Sequence, residues 1–459
     1  MLRKYFGSAS FYKQALCIAL PVMGQSLIQN LVSLIDNFMV AGLGDVKMSG
    51  VNIAGQILFV FMVLLNTVCT AGGIFMTQFF GAKDGRGMRQ SLCFKIVVSG
   101  AALVIYLAVC MLFPRSVLRL LVIGNAEADA ILDVGVRYIS LMGYIGLPIV
   151  MSGIMASSLR EVGEVKAPLV ISVAATIINT FLNWVLIYGN LGAPRLEVTG
   201  AAYATIIARC AETLMYFMYL RRFRQPFAIR PDDLAHIDWR LFRTILKRGS
   251  MMIFSEMVWV VSETVTTALY NSRGGADVVS GMSASFAIAN LFFVAFTGIT
   301  TATGIIVGKS LGAGRLDEAR AEARWLLTAS IFFGAVMTVL GLAAMLLVPV
   351  VFASLSAASQ SICASMVFWM AIFMPVWVYQ NAQFAISRAG GDTMMGMLVD
   401  VICTIGIATP LMFYLALGTG VGPVALYISI KLVDFAKVLI AWLWLRKERW
   451  VKNLASVQG

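Results

Sequence analysis

Charge is the scarcest feature of this chain: of 459 residues, only 13% are Asp, Glu, Lys or Arg. A soluble domain carries roughly twice that share, which excludes an ordinary soluble enzyme. The 60% hydrophobic content excludes a disordered chain. Histidine is almost missing. The single one, His236, falls in a polar stretch, which argues against a histidine-based metal or catalytic site. The seven cysteines (Cys17, Cys69, Cys93, Cys110, Cys210, Cys363 and Cys403) include no CxxC pair and all lie in apolar runs. They are predicted to be small buried hydrophobes, not disulfides or metal ligands. With no His/Cys/Asp cluster and no nucleophile motif, the chain reads as a non-enzyme without a cofactor. No cleavable leader is evident, because the apolar segment after the short basic start is too long for one.

Long apolar runs are what the chain does have. Twelve can be marked, over about 14–41, 51–80, 92–113, 133–158, 167–189, 199–220, 246–270, 278–308, 325–350, 361–386, 394–417 and 421–445. A membrane span needs about 20 such residues. The runs are continuous, without the alternation of a barrel strand, so helices are predicted. Net charge is +12. In a soluble protein that would suggest nucleic acid. Here it reflects basic residues held in cytoplasmic loops, and no nucleic-acid partner is expected. Arg3, Lys4, Lys13, Lys83, Arg86, Arg89, Lys95, Arg160 and Lys166 fall on one set of ends. So do the middle linker, the stretch 309–324, Arg388 and the tail 446–452. The other set holds little beyond Lys47, Arg115, Arg119, Arg195 and Arg273. Both termini are therefore expected in the cytoplasm, and the number of spans is even.

The linker, about 221–248, carries Arg221, Arg222, Arg224, Arg230, Arg240, Arg243, Lys247 and Arg248, broken by Pro226 and Pro231. Asp238 is expected to cap a short amphipathic run, Trp239 to Leu246, lying on the membrane surface before the seventh span. The chain so divides into a lobe over 1–220, a cytoplasmic linker over 221–245 and a lobe over 246–459. The halves repeat. A shift of 231 places Ser49-Gly50 on Ser280-Gly281, Thr70-Ala71 on Thr301-Ala302, and Gly81-Ala82 on Gly312-Ala313, with 11 identities in 34 over 49–82. A shift of 228 pairs Arg160 and Glu164 with Arg388 and Asp392. A shift of 222 pairs Arg209 and Glu212 with Lys431 and Asp434. Six spans per half is even, so the halves face the same way. The predicted fold is an all-α polytopic membrane protein, with twelve transmembrane helices in two six-helix lobes. A pseudo-twofold axis along the membrane normal relates them, as in alternating-access carriers.

A mid-span carboxylate costs roughly 2.5–3.5 kcal/mol on insertion scales, so each one needs a reason. Asp36 sits in the first span behind Gln25, Gln29 and Ser33, which share its stripe, and no Lys or Arg lies near it in that span. Glu256 and Glu263 lie two turns apart on one face of the seventh span. With no basic partner nearby in sequence, they are expected to favour protons, or to bind a cation. Asn179 and Asn183 are one turn apart in the fifth span, beside Thr176 and Thr180; such oxygens can coordinate sodium or join helices. Arg209/Glu212 and Lys431/Asp434, each three apart, are expected to form their own ion pairs. Asp400 in the eleventh span has no counterpart in the fifth. Pro21, Pro148, Pro375 and Pro410 fall inside spans and permit kinks. The 26 methionines and 50 aromatics could line an adaptable pocket for flat organic cations.

The strings LIDNFMVAGLGD, TAGGIFMTQFFGAKD, SLREVGEVKAPL, INTFLNWVLIYGNLG, GAAYATIIAR, KSLGAGRLDEAR, ISRAGGDT and RWVKNL, in that order, span nearly the whole chain. Together they resemble the multidrug and toxic compound extrusion (MATE) family, its NorM-like branch above the others. The resemblance implies a monomeric carrier in the bacterial cytoplasmic (inner) membrane. It would export cationic or amphiphilic small molecules by antiport with H+ or Na+. It also implies that Asp36 is the first-span aspartate, that Pro21 is the proline that bends that helix, and that Asn179, Asn183 and Thr205 join Asp36 in a cation site with possible Na+. Asn183 stands where one branch has an acidic residue. Glu256 and Glu263 flank the place of the branch's seventh-span glutamate, and either could serve. Trp377 replaces the branch's tenth-span aspartate, with Tyr379, Gln380 and Asn381 beside it. Together with Gln25 and Gln29, those three are the expected substrate path. The alternative is a flippase for a lipid-linked precursor in the same superfamily, whose cavity should be lined by Arg and Lys.

Overall fold

Each of the twelve apolar runs folds as helix. The structure is a computed structural model that describes residues 5–120, 128–228, 233–234, 236–271, 274–353 and 355–456; Arg3, Lys4, Arg230, Pro231 and Arg273 lie outside the described residues. No strand occurs among the described residues. The helices are α1 (Ala9–Ala41), α2 (Asp45–Gly81), α3 (Gly85–Met111), the short α4 (Pro114–Arg119), α5 (Ala128–Met142), α6 (Gly146–Glu161), α7 (Lys166–Tyr188) and α8 (Glu197–Arg222). A second series follows: α9 (Trp239–Asn271), α10 (Ala276–Gly312), α11 (Leu316–Val351), α12 (Ala357–Ala389), α13 (Met394–Asp400), α14 (Thr409–Gly418), α15 (Pro423–Lys431) and α16 (Val433–Leu445). A 3-10 turn at Gly143–Ile145 joins α5 to α6 as the fourth span, and a π-helical stretch, Val401–Ala408, joins α13 to α14 as the eleventh. Among the described residues, nine spans are long and apolar enough to cross a bilayer. The remaining three, α8, α9 and α15–α16, hold Arg209/Glu212, Glu256/Glu263 and Lys431/Asp434/Lys437, and those charges lower their hydropathy.

The chain forms two compact units. One comprises 24–76 and 85–245, the other 246–459 together with 1–23 and 77–84. The chain passes from one to the other inside α1, two residues after Pro21, and inside α2 after Met76.

In the amino-terminal unit, α3 holds the linker. Arg89 pairs with Asp233 at 3.0 Å. The Gln90 amide donates to the His236 carbonyl at 3.1 Å and accepts from the Asp238 N–H at 2.9 Å. Asp238 in turn accepts from the N–H groups of Arg240 and Leu241, the expected cap. The expectation of a separate surface run after it is corrected. Residues 239–246 continue without a break into the seventh span, because nothing between Trp239 and Asn271 interrupts helix.

In the carboxy-terminal unit the repeat becomes a physical contact. A Cβ placed on Gly81 would lie 2.2 Å from the Lys309 carbonyl oxygen, and one on Gly312 would lie 1.9 Å from the Gln78 oxygen. The same 231-residue shift relates Gly81 to Gly312 and Gln78 to Lys309, so the ends of α2 and α10 touch reciprocally, as a twofold relation requires. Gln78, fully buried, then grips the closing segment: its amide donates to the Ala389 and Lys452 carbonyls at 2.7 and 3.3 Å and accepts from the Leu454 N–H at 2.7 Å. We expect Gly312→Ala to separate these helix ends and destabilise the purified protein by about 1–3 kcal/mol or more. Gly304→Ala, where a Cβ meets nothing within 4 Å, should be tolerated. Equal thermal stability of the two variants would contradict this packing.

The burial of cysteines is partly corrected. Cys69, Cys93, Cys110, Cys363 and Cys403 are buried, while Cys17 and Cys210 are exposed. An apolar run does not distinguish a helix face that packs inward from one that meets lipid.

Candidate functional site

Each unit has a polar cavity among the described residues. That of the amino-terminal unit measures about 710 Å³ and is lined by Gln29, Asp36, Asn179, Asn183, Thr205, Arg209 and Glu212, among others. The polar stripe of α1 supplies Gln29 and Asp36, the one-turn pair on α7 the two asparagines, and α8 Thr205, Arg209 and Glu212. The Asn183 amide donates to Asp36 at 2.7 Å and to the Asn179 oxygen at 3.4 Å, and the Asn179 amide donates to the Thr205 hydroxyl at 3.4 Å. The four residues placed together by the family resemblance thus form one hydrogen-bonded chain. Arg209 pairs with Glu212 at 2.8 Å, as expected. Asp36 makes no salt bridge among the described residues and is held by an amide instead. The Asn183 carbonyl oxygen is buried without a hydrogen-bond partner. Gln29 reaches Ser172 at 3.2 Å on the cavity wall. Gln25 lies off that wall, buried and accepting from Arg160 at 3.5 Å.

The cavity of the carboxy-terminal unit measures about 420 Å³, and its wall includes Glu256, Glu263, Trp377, Gln380, Asn381 and Asp400. Tyr379 does not line it. Two expectations are corrected here. Glu256 and Glu263 do have basic partners, Arg388 at 3.4 Å and Lys431 at 3.8 Å, which come from α12 and α15. Lys431 and Asp434 do not form the pair that their spacing suggests. Lys431 turns to Glu263, while Asp434 accepts from the Trp377 indole N–H at 2.8 Å and meets Lys437 at 3.6 Å. Lys437, which sequence reasoning passed over, also stands 3.8 Å from Asp400, and Asp400 accepts from the Ser255 hydroxyl. At Trp377, where the resemblance leads one to expect an aspartate, the chain has an indole that binds a carboxylate from the twelfth span.

Asp400 opens the π-helical stretch 401–408, whose wider turns commonly mark functional sites. Pro410 follows it and lacks the N–H that a regular ladder would use. The Thr409 hydroxyl donates to the Thr404 carbonyl at 2.8 Å within the altered region.

A charge tally unites the two cavities. The amino-terminal wall has the acids Asp36 and Glu212 against Arg209. The carboxy-terminal wall has Glu256, Glu263, Asp400 and Asp434 against Arg388, Lys431 and Lys437. In each the acids exceed the bases by one, so each cavity favours one further positive charge.

The family model MatE matches residues 21–185 and 252–414, one stretch in each half of the repeat. The chain belongs to the MatE family. Among relatives, a probable multidrug resistance protein NorM of Thermotoga maritima is 25% identical over 329 residues, covering 69% of this chain and 67% of that one. Another of the same description, from Bradyrhizobium diazoefficiens, is 26% identical over 439 residues, covering 93% and 91%. A solved structure described as the outward-facing conformation of a multidrug resistance MATE family transporter matches with a TM-score of 0.84 at 19% identity, over 95% of each chain. That likeness shows the twelve-helix, two-lobe fold. This MATE protein is therefore an all-helical, multi-pass membrane transporter.

Proposed function

We propose that this transporter is a secondary active exporter of cationic or amphiphilic small molecules, working as a monomer in the bacterial cytoplasmic membrane with both termini inside. An inward gradient of H+ or Na+ drives it. The observation that carries the proposal is Asp36: a carboxylate within the first span, in a cavity with one excess negative charge, whose hydrogen-bond partner among the described residues is the Asn183 amide. Such a group can trade a proton or sodium ion for an organic cation, since both offset the same charge. The donor set suits sodium, a hard cation that takes oxygen ligands. Asp36, Asn179, Asn183 and Thr205 all offer oxygen, and the Asn183 oxygen is buried and unpartnered. Those four residues would hold the ion; protonation of Asp36 would serve instead of it.

Transport needs ion and substrate to prefer different states of the carrier. In this reading the halves over 1–220 and 246–459, joined by the linker over 221–245, alternate between openings, and Pro21 is the flexing point of α1. Gln29, Gln380 and Asn381 face the substrate, and Glu256 or Glu263 contributes a second acidic group on its path. The flippase alternative has less support. Arg388, Lys431 and Lys437 do line the carboxy-terminal cavity, but each is matched by a carboxylate.

The test is efflux of a cationic dye from proteoliposomes under an imposed sodium or proton gradient. Acceleration by one gradient, collapsed by its ionophore, is expected. Equal dye flux with and without any gradient would overturn the proposal.

A further inference from the structure

Lys431 breaks the symmetry of the repeat. Its counterpart Arg209 pairs with the acid three residues on, but Lys431 leaves Asp434 and inserts its ammonium among three other groups. The Glu263 carboxylate lies 3.8 Å away, the Tyr427 ring centroid 5.5 Å and the Trp377 centroid 5.8 Å. A carboxylate with two aromatic faces around one ammonium is the arrangement that recognises alkylated ammonium ligands, through the ring quadrupole and one opposite charge.

The box is rigid. The Trp377 indole is fixed by its bond to Asp434 and by stacking on Phe373, with centroids 5.7 Å apart at 16°. Tyr427 is buried and held against Tyr270 at 5.8 Å. The Glu263 and Lys431 side chains are 31% and 21% exposed, so the box opens on the cavity that both of them line. Rigid walls and a flexible, partly exposed lysine describe a preformed site whose occupant can leave.

We infer that Glu263, Trp377 and Tyr427 form a binding box for an organic ammonium, and that Lys431 is its tethered occupant, displaced when the ligand enters. The displaced lysine stays in the cavity, where the ligand's charge brings the positive groups level with the four carboxylates. The ligand class is an aliphatic or quaternary ammonium with no bulky group close to the charged nitrogen. The inference rests on the efflux reading for its use in transport, and on the geometry of the box for binding itself.

The test is equilibrium binding of radiolabelled tetramethylammonium to the purified full-length protein. Removing a tethered competitor should tighten binding by about tenfold or more, so Lys431→Gln is expected to bind that much better than the unaltered protein; Lys431→Met serves if the first variant does not fold. Lys437→Gln removes one positive charge from the same cavity but not from the box, and is expected to give a clearly smaller gain. Adding Trp377→Leu to Lys431→Gln should abolish the gain. Three results would each overturn the inference: no gain on removing Lys431, an equal gain on removing Lys437, or a gain that survives loss of the indole. Proteoliposomes that export no organic cation under any gradient would sink the efflux reading and leave this binding result standing.

Discussion

Asp36→Asn is expected to abolish gradient-driven efflux while leaving the protein folded and abundant. The two halves of that statement have separate causes. Asparagine keeps the shape and one carbonyl oxygen, so the 2.7 Å bond from the Asn183 amide can persist; the change in stability should stay near the ~1 kcal/mol of a neutral hydrogen bond. The charge is lost, and with it the excess acid of the amino-terminal cavity, because Glu212 remains matched by Arg209. A coupling energy of 1–3 kcal/mol corresponds to roughly a 5–150-fold change in affinity, and without the Asp36 charge the driving ion should no longer shift substrate affinity, so the gradient should no longer drive efflux. Size-exclusion profiles check the fold, and dye efflux from proteoliposomes checks the activity. Undiminished efflux by a well-folded Asp36→Asn protein would remove Asp36 from the mechanism.

The largest effect on stability is expected at Lys95, far in role from transport. Its side chain is fully buried, with the ammonium 2.5 Å from Glu161 and 3.1 and 3.3 Å from the hydroxyls of Ser157 and Ser158. Glycines on α2 make the room. A Cβ on Gly72 would lie 2.7 Å from the Lys95 side chain, and one on Gly73 would lie 2.1 Å from the Glu161 carboxylate. Lys95→Met leaves the largely buried Glu161 carboxylate, 12% exposed, without its cationic partner, which should cost about 3 kcal/mol, the lower end of the range for breaking a buried pair. Adding Glu161→Gln should restore most of the loss, because an ion pair replaced by groups of similar volume is often close to neutral. The repeat supports this. At the shifts of 231 and 228, Lys95 and Glu161 fall on Leu326 and Ala389, both buried, so the carboxy-terminal half has buried apolar residues at the equivalent positions. Unfolding of the single and double variants in mild detergent is the check. A Lys95→Met protein as stable as the unaltered one would show that the pair contributes nothing.

What the sequence disclosed and what it hid follow from the range of the signal. Span positions, the repeat and the stripe leading to Asp36 are local or periodic features, and all of them are present in the fold. Pairings between distant helices are not local. Glu256 and Glu263 looked unpartnered because Arg388 and Lys431 lie more than a hundred residues away, and Lys437 drew no notice among apolar neighbours. Lys95 read as a loop charge, yet the glycines of TAGGIFM give it a buried place beside Glu161. Trp377 was visible as a replacement for an expected aspartate. That its indole would bind Asp434, freeing Lys431 for Glu263, needed the seventh, tenth and twelfth spans to be brought together. The π-helical stretch after Asp400 had only Pro410 as a signal, and proline alone predicts a kink and no particular helix type.

The central claim is that driving ion and exported cation exchange at Asp36. It is tested most directly by adding a cationic dye to the purified protein in weakly buffered, low-sodium solution and measuring proton and sodium release as the dye binds. Release of one of the two ions in step with dye binding, lost in Asp36→Asn, is the expected result. Dye binding that releases neither ion, or that releases it equally in the Asp36→Asn protein, would contradict the account.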